Sequence, residues 1–283
     1  MDFAELLARH AEVGADRHGL VFARGAERAA AAAYRRHGVV QLRNALAPDF
    51  LAGLREQCLR AGAAFDPASA AAEGFRTGKG NNLWDFRLDG YVLAPFFAAM
   101  TASWAWAVVQ EICGSADIVF FTAECAVRHV MDETRGLGAH QDAVNVSHDM
   151  PFAIWVPLHD AVPGRDSALG FIANGERALI DPQDFPAHML AHRDDLWMPT
   201  YRAGDLTIHD KMTPHYTTGF GTGSERISVE LRCAERRAAM ATQHVRYHLF
   251  VGRDRRVAMR CPWFEFRDVR PFLEAARSRR PAA

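Results

Sequence analysis

From about Asp117 onward the chain is written in short, β-rich segments, and this limits what it can fold into more than any other feature. Ile118–Thr122, Ala126–Met131, Ala139–Val146, Phe152–Leu158, Leu169–Ala173, Asp205–His209, Ile227–Cys233, His244–Val251 and Arg256–Arg260 are separated by Gly, Pro or Asp. Many short strands without long helices between them imply an antiparallel sandwich or barrel. The first third reads differently. Phe3–Val13 and Ala26–Arg36 are rich in helix formers, and Pro48–Ala61 repeats Leu51, Leu54 and Cys58 at helical spacing. One strand-like segment, Gly38–Arg43, lies between them, and Arg267–Arg277 has Pro271 placed for the first turn of a closing helix. The expectation is a mostly β protein with flanking helices, a single domain over residues 1–283. Its helical N-terminal part covers about 1–115 and its β core about 116–262.

Charge and cysteine content narrow the function classes. The 33 Lys+Arg against 34 Asp+Glu leave no electrostatic footprint for nucleic acid, and the Arg253–Arg256 and Arg277–Arg280 segments are short enough to be solvated ends. Cys58, Cys113, Cys125, Cys233 and Cys261 are scattered without a C-x-x-C, which argues for reduced thiols in a reducing compartment. Met1–Glu5 lacks the basic-then-apolar profile of a signal peptide. Tyr91–Gln110 is uncharged and approaches the span of a bilayer, but Pro95, Thr101 and Ser103 interrupt it and basic flanks are missing. A helix buried against a sheet is expected there. These features predict a cytoplasmic protein acting on a small molecule, without a membrane or nucleic-acid partner. The sequence carries no mark of oligomeric state.

The chemistry centres on Leu137-Gly138-Ala139-His140-Gln141-Asp142. In a strand, positions i and i+2 share a face, so His140 and Asp142 present an imidazole and a carboxylate to one interior. Thirteen histidines offer a third ligand; His215, in Thr213-Pro214-His215-Tyr216, is far enough downstream to lie on a different strand. His209 competes for the role but sits at the end of a strand. Two imidazoles and a carboxylate on one octahedral face leave three positions for a 2-oxo acid and O₂, the arrangement of non-haem Fe(II) oxygenases. Zinc accepts the same donors, so the set alone leaves a hydrolase open. Arg226, eleven residues after His215, separates the two. It shares a strand face with Ser228, and a guanidinium fork with a neighbouring hydroxyl matches the distal carboxylate of 2-oxoglutarate.

Further positions carry two readings each. Trp155 is either a pocket wall or a core aromatic. Arg128 would meet a substrate carboxylate or pair with an acid, and Asn145 lies near the mouth of the site. Thr77–Asp85, Gly-rich and polar around Trp84, is either a lid over substrate or a plain surface loop.

From about Tyr34 to Arg232 the sequence resembles the phytanoyl-CoA dioxygenase family of Fe(II)/2-oxoglutarate oxygenases. The resemblance rests on Tyr34-Arg35-Arg36-His37-Gly38-Val39-Val40, on His140-Gln141-Asp142, on Trp155-Val156-Pro157-Leu158 with Asp160, on Gly204-Asp205, and on His215 with Arg226. It implies a double-stranded β-helix (jelly-roll, cupin-like) core. It implies iron ligation by His140, Asp142 and His215, and a 2-oxoglutarate grip by Arg226 and Ser228. The implied activity is hydroxylation of a small-molecule metabolite with release of succinate and CO₂. Asp142 stands where halogenases of this kind carry a small residue. The sequence departs from the family at Ala173-Asn174-Gly175-Glu176, where many members have Pro-Gly-Ser-His, and at Pro163-Gly164-Arg165-Asp166-Ser167. Both segments are expected to lie away from the ligands. The rival readings are a metal-dependent hydrolase or isomerase on the same jelly-roll, and a non-catalytic ligand-binding relative.

Overall fold

Alternation along the strands decides how the chain is layered. A computed structural model describes residues 19–63, 75–77, 83–86, 90–121, 126–130, 138–144, 152–162, 165–218, 226–237, 248–251, 257–261 and 264–268. In chain order the strands are β1 (Val21–Phe22), β2 (Val39–Leu42), β3 (Phe75–Thr77), β4 (Leu83–Phe86), β5 (Ile118–Phe121), β6 (Ala126–Val130), β7 (Phe152–Pro157) and β8 (Ala168–Ile172). They continue as β9 (Leu196–Trp197), β10 (Leu206–Asp210), β11 (His215–Thr218), β12 (Arg226–Glu235), β13 (His248–Val251), β14 (Val257–Cys261) and β15 (Phe264–Asp268). The helices are α1 (Glu27–His37), α2 (Pro48–Ala63), α3 (Gly90–Ala102), α4 (Ala105–Cys113) and α5 (Phe185–Ala191).

Among the described residues, twelve strands form one sheet in the order β1-β2-β10-β7-β12-β5-β13-β14-β15, with β3, β4 and β6 branching from β12. Every pairing is antiparallel except β1 with β2. A second sheet, β11-β8-β9, is antiparallel throughout.

The two faces of the large sheet differ chemically. Leu206 and Ile208 of β10, Phe152, Ile154 and Val156 of β7, and Ile227, Val229, Leu231 and Cys233 of β12 all join one apolar cluster. Phe96, Phe97, Met100, Trp106 and Val109 of α3 and α4 complete it, with Phe120 stacked on Phe97 and Trp106 at centroid distances of 4.6 and 5.2 Å. Each fully buried side chain of this kind contributes about 1.5–3 kcal/mol, so this helix-covered face carries most of the sheet's stability. The alternate residues point the other way. Val39 and Trp155 there pack with Leu169, Phe171 and Trp197 of the small sheet, which therefore lies over the inner face.

Helix α1 has Glu27 in its first turn and Arg35, Arg36 and His37 in its last, matching the helix dipole at both ends. It stops at Gly38, whose φ of 78° is the left-handed conformation that favours glycine and whose N–H closes on Tyr34 O. The carbonyl of Gly38 then accepts from Asp210 N and Thr213 Oγ1, at 2.7 and 2.9 Å. The end of α1 is thereby fastened to the turn that delivers His215.

Several expectations change. Tyr91–Gln110 is two helices, with the Phe96–Ala102 and Ala105–Cys113 segments bent by 79° at Ser103-Trp104, where the Ser103 hydroxyl donates to Met100 O. No single helix among the described residues is long and apolar enough to cross a membrane. The ends of the Thr77–Asp85 stretch form a hairpin instead of a loop: Thr77 pairs with Trp84, and β4 continues onto β6. Its tip, 78–82, lies outside the described residues, as do Phe3–Val13 and 269–277 of the expected closing helix. Arg267 and Asp268 belong to β15, held by pairing with Met259 and Ala258.

Candidate metal centre

His140 and His215 oppose each other across an isolated antiparallel bridge. Each N–H donates to the other's carbonyl, at 3.0 and 2.9 Å, so both side chains leave on the same side. Their ring centroids are 4.2 Å apart. Each ring is steered by a carbonyl two residues upstream: His140 Nδ1 lies 2.8 Å from Gly138 O, and His215 Nδ1 lies 3.1 Å from Thr213 O. A carbonyl only accepts, so the ring proton sits on Nδ1 in both and the lone pair of Nε2 faces away, ready for a metal.

Asp142 joins them by a different route from the one alternation predicts. Residues 139–144 are not a strand; Asp142 opens a 3-10 turn, Asp142–Val144. The buried Gln141 sets that turn. Its Nε2 donates to Met212 O and Ala178 O, at 2.6 and 2.8 Å, and its Oε1 accepts from Ile180 N at 2.9 Å. Ala143 N adds a bond to Lys211 O at 3.1 Å. The His140–Asp142 segment is thus tied to the turn before His215, and one potential ligand atom from each of His140, Asp142 and His215 lies within 4.8 Å of the others.

The inner face of the large sheet supports the carboxylate. Register places Val39, His209, Ala153 and Arg232 in one row across β2, β10, β7 and β12. Ala153 is small, which leaves space between its two long neighbours. His209 Nε2 and Arg232 Nη1 both reach Asp142 Oδ2, at 3.6 and 2.5 Å, while Oδ1 lies 3.8 Å from His215 Nε2. Arg232 is also ion-paired with Glu230. Burial opposes ionisation of Asp142, but Arg232 foremost, with His215 and His209, outweighs it and holds the carboxyl well below the usual carboxylate range. Burial, reinforced by His140, holds His215 well below the usual histidine range and keeps its imidazole neutral. A neutral imidazole and an ionised carboxylate are the states that bind a metal.

Arg226 and Ser228 are both buried and share the inner face of β12 with Glu230 and Arg232. Arg226 Nη1 donates to Ser167 Oγ at 3.2 Å. The Pro163–Ser167 departure, expected to lie away from the site, therefore ends on one of its residues. Trp155 is buried on the inner face, edge-to-face with Tyr201 at 5.0 Å, which places it in the core between the sheets. The backbone register aligns position 128 with Ser228, and position 84 with positions 129 and 227, in the row of the helix-covered face. Asn145 lies outside the described residues.

Sequence reasoning missed Arg232, Glu230, Gln141 and Ser167, and set His209 aside as a competing ligand where it sits against Asp142. A signal for two of them was present. Alternation from Arg226 reads Arg-Ser-Glu-Arg at 226, 228, 230 and 232, an unbroken polar row between the apolar Ile227, Val229, Leu231 and Cys233.

No family model matches the chain, and no curated protein matches it. Solved structures do. The non-heme α-ketoglutarate-dependent epimerase SnoN from nogalamycin biosynthesis aligns with a TM-score of 0.56 at 22% identity, over 74% of this chain and 81% of that one. EctD from S. alaskensis, with 2-oxoglutarate and 5-hydroxyectoine, aligns with a TM-score of 0.55 at 20% identity, over 72% and 74%. The carbocyclase SnoK, from the same biosynthesis as SnoN, aligns with a TM-score of 0.52 at 15% identity, over 73% and 83%. The chain shares its fold with these enzymes.

Proposed function

We propose that this chain is a non-haem Fe(II)- and 2-oxoglutarate-dependent dioxygenase that hydroxylates a small-molecule metabolite, on a jelly-roll core within one domain. The observation that carries the reading is the convergence of His140, Asp142 and His215 beneath an inner sheet face that also bears buried Arg226 and Ser228. Similar structures hold the corresponding small molecules: SnoN is known in complex with Fe³⁺, α-ketoglutarate and nogalamycin RO, and EctD with 2-oxoglutarate.

The residues fit an iron ion by their donor chemistry. Two Nε2 lone pairs and one carboxylate oxygen make a set of three that leaves other coordination positions open. When bound, ferrous iron would couple O₂ reduction to decarboxylation of 2-oxoglutarate, giving succinate and CO₂. The chain's part is to bind and orient. Gly138 O and Thr213 O fix the imidazole tautomers, and Arg232 with His209 holds Oδ2 of Asp142 so that Oδ1 is left towards His215. Arg226 supplies a planar fork for the distal carboxylate of the keto acid, with the Ser228 hydroxyl beside it in the same row. Arg128, at the register position opposite Ser228, is our candidate for a substrate contact. We place the enzyme in the cytoplasm, where its scattered thiols stay reduced.

The test is succinate formation from 2-oxoglutarate with Fe(II), comparing wild type with Asp142→Ala and Arg226→Met. Asp142→Ala should abolish turnover, and Arg226→Met should raise KM for 2-oxoglutarate about 10- to 100-fold, the loss of a charge-assisted pair. Turnover undiminished in Asp142→Ala refutes the ligand assignment. Zinc-supported activity without oxygen uptake would instead mark the hydrolase reading. An epimerase and a carbocyclase are among the similar structures, so product analysis decides between hydroxylation and these outcomes.

A further inference from the structure

A second group of potential ligands lies away from the His140–Asp142–His215 centre, where the turn after β8 meets α5. His188 is in α5 and His192 caps it, four residues on, so both imidazoles project from one side of the helix end. Their ring centroids are 4.3 Å apart. Glu176 comes from the turn, and its Oε2 lies 3.6 Å from His192 Nε2 and 3.9 Å from His188 Nε2. A tetrahedral zinc site with bonds of about 2.0–2.1 Å has ligand–ligand edges of roughly 3.4 Å. Both separations from Glu176 Oε2 are therefore within about half an ångström of that edge, and one potential ligand atom from each residue lies within 4.8 Å of the others.

Two observations point beyond an accidental cluster. Nε2 of His188 is screened from solvent and makes no hydrogen bond, although it faces the Glu176 carboxylate. The His192 ring is held in place at Nδ1, which lies 3.1 Å from Asn174 Nδ2 and 3.3 Å from Asp195 Oδ2. With Nδ1 engaged there, Nε2 is the ring atom left towards Glu176. The turn itself is built. Asn174 Oδ1 accepts from Glu176 N at 3.0 Å, and Ala173 N donates to Asp195 O at 2.9 Å. His37 Nδ1 closes it from the α1 side, 3.2 Å from Ala173 O.

We propose that Glu176, His188 and His192 bind a second divalent metal ion, zinc by donor type, which cross-links the turn after β8 to α5. An open pocket of about 520 Å³, lined by His37, Asn174, Glu176, His192 and Asp195, adjoins two of the three ligands and would supply water as the fourth. The structural consequence is local. The clip would hold the end of β8, the strand that pairs with β11 and hence with His215.

The experiment is a metal titration of the full chain after chelator treatment, with Zn²⁺ for stoichiometry and Co²⁺ as a spectroscopic probe. Wild type should take up two equivalents of zinc, and His192→Gln and Glu176→Gln one each. Asp142→Ala should also take up one, so failure of this site is distinguishable from failure of the oxygenase reading. Four-coordinate Co²⁺ absorbs far more strongly in the visible than six-coordinate Co²⁺. The intense band should survive in Asp142→Ala and vanish in the two clip variants, while succinate formation persists in them. Zinc at a hundred-fold excess over Kd should raise the Tm of Asp142→Ala by about 5 °C, and not that of Asp142→Ala combined with Glu176→Gln. One equivalent in wild type that is lost in Asp142→Ala, or two in both His192→Gln and Glu176→Gln, overturns the proposal. Glu176 is half-exposed, so its variant keeps the test informative if His192→Gln does not fold.

Discussion

Arg232→Met is the perturbation that best tests how the site is held. The guanidinium sits 2.5 Å from Asp142 Oδ2 and is paired on its other side with Glu230. All three side chains are at most 8% exposed, so solvent screens the pairs little. Methionine fills a similar volume without charge, which removes the cation that pairs with both carboxylates. Breaking a buried ion pair from one side costs about 3–5 kcal/mol, a large share of the roughly 5–15 kcal/mol that holds a typical domain folded. Urea unfolding of the metal-free protein at neutral pH should show that loss. Adding Glu230→Gln should recover at least about 1 kcal/mol, because one of the two carboxylates that Arg232 paired with is then neutral. The pH dependence has a definite sign. A carboxyl held low in the folded state stabilises above its unfolded pKa of about 3.9 and loses that contribution as pH falls towards the folded value. The gap between wild type and Arg232→Met should therefore narrow on acidification below about pH 4. A variant that unfolds within about 1 kcal/mol of wild type at neutral pH would refute the claim that Arg232 neutralises Asp142.

Two further outcomes follow from the same region. His215 is held below the usual histidine range, so below about pH 6.5 the unfolded chain binds a proton that the folded chain resists, and stability falls with pH. Metal-free His215→Asn should lose that component of the decline between about pH 6.5 and 5 in urea titrations; an unchanged slope would contradict the burial argument. Gly170 of β8 pairs with Tyr216, and a Cβ there would lie 2.5 Å from the Tyr216 ring, which is fully buried. Gly170→Ala should cost about 1–3 kcal/mol in thermal unfolding and weaken iron binding, since His215 is the next residue in the strand.

What could be read from the chain was whatever depends on near neighbours. Strand segments such as Phe152–Leu158 and Ile227–Cys233 announce themselves by composition, and helix α1 by its run of helix formers. The choice of His215 and the pairing of Arg226 with Ser228 needed only order, spacing and the two-residue period of a strand. Short strands were missed because they are stabilised by pairing more than by their own residues: β4 by β6, β9 by β8, β15 by β14. Asp142 meets the histidines through a 3-10 turn fixed by Gln141, whose partners Met212, Ala178 and Ile180 are distant in sequence. The row that brings His209, Ala153 and Arg232 under one carboxylate exists only because β10, β7 and β12 pair in one register. The meeting of Glu176 with His188 and His192 depends on a turn and a helix packed together. Alternation tells a side chain which face it occupies, but only long-range register tells it whom it meets there, and that is a property of the folded sheet.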